Sequence, residues 1–162
     1  MKKLKSRAGM TLVELLCVVA ILVLVSAMMA TGIQLGARSY RQSVTYSDAQ
    51  MLCSTLTTAV GDELRYARDI ESDNSFFSSR GDNCSLIVTE GHLVMQQTDG
   101  SETQSFPLVP EALYAHGIQI ADFTMTPENG IFTVTLVISD SAGTALTSTK
   151  FQVLPLNQPP AA

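Results

Sequence analysis

The chain has 162 residues, 46% of them hydrophobic, and a formal charge of −5. Lys2, Lys3, Lys5 and Arg7 crowd the first nine residues, so the rest carries six basic against fifteen acidic side chains, −9 formally. Such a surface repels a phosphate backbone and argues against direct nucleic-acid binding by charge, and the length leaves room for one folded domain.

The basic start ends at Gly9, and from Met10 to Ala30 the sequence is apolar except for a few hydroxyls and Glu14. As a helix this run would span roughly 31 Å, enough to cross a bilayer. A charge inside such a run costs on the order of 2.5–3.5 kcal/mol on insertion scales, so Glu14 marks function by default. A secretory signal would place small residues after the apolar run and no acid within it. A lipoprotein signal at Cys17 would want a small residue where Leu16 stands, and a plain anchor leaves the acid unexplained.

The residues from Lys2 to Leu16 resemble the signal of type IV prepilins and of the pseudopilins of type II secretion and competence systems. Gly9 matches the glycine after which the family's prepilin peptidase cuts. Met10 matches the first mature residue, which the same enzyme N-methylates, although phenylalanine is commoner there. Glu14 matches the glutamate through which family members join a filament. The resemblance implies residues 1–9 as a leader and 10–31 as the transmembrane half of a long helix. It further implies a structural subunit, a minor pilin or pseudopilin, without enzymatic activity or cofactor. Its partners would be the prepilin peptidase, other pilin-like subunits, and the assembly platform with its ATPase. The protein would sit in the cytoplasmic membrane, N-terminus inside, before entering an envelope or surface filament, and the leader's positive charge agrees with that orientation. A membrane-tethered binding module or adhesin that never polymerises is the alternative.

Beyond Ala30 the apolar run becomes one-sided. Tyr40, Val44, Met51, Leu52, Leu56, Ala59, Val60, Leu64 and Ala67 recur mainly at helical spacings, which predicts one helix from Thr11 to near Arg68. Gly32, Gly36 and Gly61 within it are either packing positions or merely tolerated. Residues 69–83 read as a polar loop. Strands follow at Cys84–Thr89 and His92–Gln97 around a Glu90-Gly91 turn, then at Glu102–Phe106, which Pro107 and Pro110 end. Ile118–Thr126, Ile131–Ser139 and Ser148–Leu154 complete the set, with strict alternation of Phe132, Val134, Leu136 and Ile138. The expected fold is α+β, pilin-like, with the distal helix covering an antiparallel sheet of four to six strands across residues 32–154, and a disordered tail at 155–162.

Chemistry-bearing residues are sparse. His92 and His116 stand in no metal or nucleophile motif, and the acids Asp69, Glu71, Asp73 and Asp82 lack EF-hand spacing, so no catalytic or metal site is expected. Arg80-Gly81-Asp82 is an integrin-type tripeptide whose glycine a turn explains. Cys17 lies in the apolar run, where it acts as a small hydrophobe. Cys53 and Cys84 fall on the exported side, where either a disulfide or two buried thiols would suit.

Overall fold

A computed structural model of the chain describes residues 11–68, 75–78, 83–99, 102–128 and 130–156. The leader with Gly9 and Met10, the acids Asp69, Glu71, Asp73 and Asp82, the tripeptide at 80–82 and residues 157–162 of the tail lie outside them. Helix α1 comprises Leu12–Arg65, and the chain divides into two compact units, residues 1–43 and 44–162.

In the first unit the stretch of α1 from Leu15 to Ala30 is apolar on every side apart from Ser26. Its best eighteen-residue window has a mean hydropathy of 2.8, long and apolar enough to cross a membrane. Residues 11–43 are all exposed. The hydroxyls that interrupt the run are satisfied inside the helix: Ser26 donates to the Leu22 carbonyl at 2.7 Å and Thr31 to that of Met28 at 2.9 Å. This local bonding is what lets them sit where no water would serve them. A Cβ on Gly32 or Gly36 would meet nothing within 4 Å, so neither glycine serves packing within the chain.

In the second unit the distal part of α1 turns Ala49, Leu52, Cys53, Leu56, Val60 and Leu64 into the core. Their spacing of three or four residues keeps them on one face. Met51 and Tyr40, counted in the stripe from sequence, are 52% and 72% exposed and lie off it; Ala49 and Cys53 take part instead.

Among the described residues seven antiparallel strands form two sheets, where one sheet of four to six strands was expected. The first has the order β1-β2-β3-β4, with β1 Ser75–Phe77, β2 Asn83–Thr89, β3 His92–Asp99 and β4 Glu102–Pro107. The second has the order β5-β6-β7, with β5 Gln119–Glu128, β6 Ile131–Ser139 and β7 Ala145–Val153. Between them lies a 3₁₀ segment, Glu111–Gly117, unassigned from sequence, that follows Pro110. One backbone bond joins the two sheets here: the Ile120 amide donates to the Gly91 carbonyl at 2.8 Å. Strand β1 falls within the stretch expected to be loop.

The turns follow local rules. Glu90 and Gly91 both have positive φ, 52° and 77°, the signature of the type I′ turn whose twist matches its flanking strands. The Asp140 carboxylate accepts from the amides of Ala142 at 3.0 Å and Thr144 at 2.8 Å, so β7 begins at Ala145, three residues before the expected start. Phe132, Val134, Leu136 and Ile138 all face inward, as their alternation predicts.

Candidate functional site

The helix start carries the site residue that the structure describes. Thr11 precedes the first helical residue, and its carbonyl accepts from the Leu15 amide at 3.1 Å, which places Thr11 at the N-cap. The Thr11 hydroxyl accepts from the Glu14 amide at 3.2 Å, while a Glu14 carboxylate oxygen accepts from the Thr11 amide at 3.4 Å. This is a capping box, in which threonine and glutamate three residues apart satisfy each other's otherwise unpaired amides. The Thr-x-x-Glu pattern could have been read from sequence; the acid drew notice for its place in an apolar run instead.

The box gives Glu14 a local job and leaves the carboxylate exposed in the first turn, where the helix dipole favours negative charge. One charged group thus heads an apolar surface of Leu12, Val13, Leu15, Leu16 and their successors, all exposed. Exposed apolar area on this scale requires lipid or other apolar helices.

Cys17 is exposed on the same apolar helix. Cys53 and Cys84 are buried in the common core at 8% and 2% exposure, and no disulfide joins them. Burial pushes the Cys53 thiol up, opposed by a weaker contribution from the Thr57 hydroxyl. Because thiolate is the attacking species in disulfide chemistry, that shift favours an inert structural thiol.

The two histidines serve the 3₁₀ segment. The His116 Nδ1 lies 3.0 Å from an Asp48 carboxylate oxygen, fastening the segment to α1 across 68 positions of sequence, a distance at which no local pattern signals a pair. His92 stacks edge-on against Tyr114 with ring centroids 4.1 Å apart. The Tyr114 hydroxyl accepts from the Leu93 amide at 3.1 Å, and burial pushes this phenol up. These contacts brace the fold. Among the described residues no group of three or more His, Cys, Asp or Glu side chains is placed to hold a metal ion.

A long N-terminal apolar helix opened by one capped acid, followed by antiparallel sheets, is a pilin-like α+β architecture. Residues 4–30 match the family described as the prokaryotic N-terminal methylation motif, so the chain carries the type IV prepilin-like signal. No curated relative and no solved structure matches the chain significantly.

Proposed function

We propose that the protein is a structural subunit, a minor pilin or pseudopilin, of a type IV pilus or a secretion- or competence-type filament. It is made as a precursor, cut after Gly9 by a prepilin peptidase and N-methylated at Met10. Before assembly it rests in the cytoplasmic membrane with its N-terminus inside. The assembly platform and its ATPase then lift it out, and its helix exchanges lipid for the apolar helices of neighbouring subunits.

The observation that carries this reading is the pairing of a methylation-type signal with an apolar helix exposed on every side and headed by one carboxylate. An acid in such a helix is tolerable when a cation neutralises it, and cleavage after Gly9 creates one in the Met10 amine. The amine of the same or the preceding subunit would neutralise Glu14 where an unpaired ion costs several kcal/mol. Assembly, with Glu14 as docking group, is then the chain's mechanism.

The test is mass spectrometry of the native N-terminal peptide together with quantification of the chain in sheared filaments. A peptide beginning at N-methylated Met10 and recovery from filaments are expected. A mature chain that keeps residues 1–9, or one absent from filaments, would instead indicate a tethered module that does not polymerise.

A further inference from the structure

Past the leader, charge is divided along the chain. Residues 15–47 hold no acid and two basic residues, Arg38 and Arg41, whereas residues 44–162 hold four basic against fourteen acidic side chains, −10 formally. The two arginines stand one turn apart on one face of α1, on a stretch that is exposed throughout. Arg38 lies eight positions past Ala30, roughly 12 Å along the helix and so outside the hydrocarbon that the apolar run would occupy.

The first sheet carries an acidic counterpart. Asp99 and Glu102 stand directly opposite each other across β3 and β4, and Gln97 and Gln104 are paired two rows along on the same face. Alternation places these four on the side that carries Leu93 and Met95, but Asp99 and the whole of β4 are exposed, so this end of the hairpin projects past the core. Together they line a recess of about 100 Å³. Among the described strand pairs this is the one that sets two like charges face to face, an unfavourable arrangement. Neither acid, nor Arg38, has an ion-pair partner among the described residues.

The chemistry of the recess favours a guanidinium. Two carboxylates are few for a metal ion, and no group of three or more His, Cys, Asp or Glu side chains is placed to hold one among the described residues. An arginine offers five N–H donors in a planar fork, enough to bridge both carboxylates and the carboxamide oxygens beside them. Arg38 is an exposed arginine on a helix that a filament would set among neighbouring subunits.

We propose that Arg38 of one copy of this chain docks into the Asp99–Glu102 recess of a second copy, with Arg41 adding to the positive field beside it. This rests on the filament reading for its cellular setting. The contact joins the helix of one copy to the sheet of the next, so it is heterologous and can repeat along a filament. It also relieves the repulsion between Asp99 and Glu102, which gives the assembled chain an advantage over the free one.

Arg38→Lys keeps the charge and gives position 38 an amine that carbodiimide can couple to a touching carboxylate. Sheared filaments of this variant, and the full-length chain concentrated in detergent, should yield a covalent dimer whose cross-linked peptide joins position 38 to Asp99 or Glu102. Asp99→Asn with Glu102→Gln should remove that link, while the urea midpoint of the chain in detergent holds or rises because the like-charge pair is gone. Arg38→Glu and Glu102→Arg should each lower recovery in the filament fraction about tenfold, and the two together in one chain should restore it. The proposal is overturned by a link found solely within monomers, by coupling solely to other carboxylates or to a different protein, or by no coupling in either preparation. Protection of both carboxylates by calcium, or a double reversal that fails to restore recovery, overturns it as well. Failure of the filament reading would look different: the wild-type chain would be missing from sheared filaments, while the dimer link in detergent still decided the contact.

Discussion

Thr11 and Glu14 hold each other's backbone amides at the first turn of α1, at 3.2 and 3.4 Å. The same glutamate is therefore both a helix cap and the one charge at the head of an apolar surface. These two roles call for different chemistry. A cap needs only an acceptor oxygen, which an amide also offers, whereas pairing with a cationic amine needs the charge.

Two substitutions separate the roles. Glu14→Gln keeps the cap and loses the charge; Glu14→Leu loses both. If pairing with the Met10 amine drives assembly, both variants should be cleaved after Gly9 and inserted normally, yet both should fall at least tenfold in sheared filaments relative to membranes. Wild-type recovery of Glu14→Gln with loss of Glu14→Leu would assign the residue to capping alone. Loss of cleavage in either would place it in peptidase recognition.

The second unit should fold without the apolar run. Of the described residues, deleting 1–35 removes only the exposed stretch 11–35, and it leaves Ala49 to Leu64 with the sheets that cover them. The fragment should be soluble, show helix and strand by circular dichroism, and unfold cooperatively. Within it, Leu56→Ala empties a fully buried site and should cost about 2–5 kcal/mol. Met51→Ala, half-exposed five positions earlier, should cost far less, roughly 0.5 kcal/mol or under. Equal losses of urea midpoint in the two variants would contradict the assigned face of α1.

How far the residues announced this structure depended on whether a pattern was local. The alternation from Phe132 to Ile138 gave β6 its bounds and its inward face, and Glu90-Gly91 announced its turn. Strand β1 was hidden because three residues have no period; Ser75–Phe77 become a strand only by pairing with β2 and with Arg68. The division into two sheets was hidden for a similar reason. It follows from the intervening 3₁₀ segment, and alternation along a strand does not say which strand lies beside it. At the helix start the pattern was present in full, and a charge conspicuous for one reason concealed its second role.

The thiols offer a chemical check. In the same soluble fragment Cys53 and Cys84 should resist alkylation at pH 8, since both are buried and the Cys53 thiol is pushed up, leaving little thiolate. The sign follows from burial: raising the pH toward the shifted value should accelerate modification of Cys53, and unfolding should expose both residues at once. Intact mass before and after reduction should be identical. A gain of two hydrogens on reduction would show a disulfide instead.

The seam between the sheets rests on Gly91, and it should be the most sensitive turn position. Its φ of 77° is strained for any residue with a side chain, and a Cβ there would lie 2.8 Å from the Gln119 Cβ. Its carbonyl also accepts the Ile120 amide that joins the sheets. Gly91→Ala thus imposes a left-handed alanine, at about 1–2 kcal/mol, and pushes away the strand that makes the joining bond. The expected loss in urea unfolding of the fragment is roughly 2–4 kcal/mol, with faster hydrogen exchange at Ile120 than elsewhere in β5. Gly143→Ala is the control, because its φ of 82° carries the same backbone penalty but its Cβ would meet nothing within 4 Å. If the two substitutions cost the same and Ile120 stays protected, the close approach at Gly91 contributes nothing to joining the sheets.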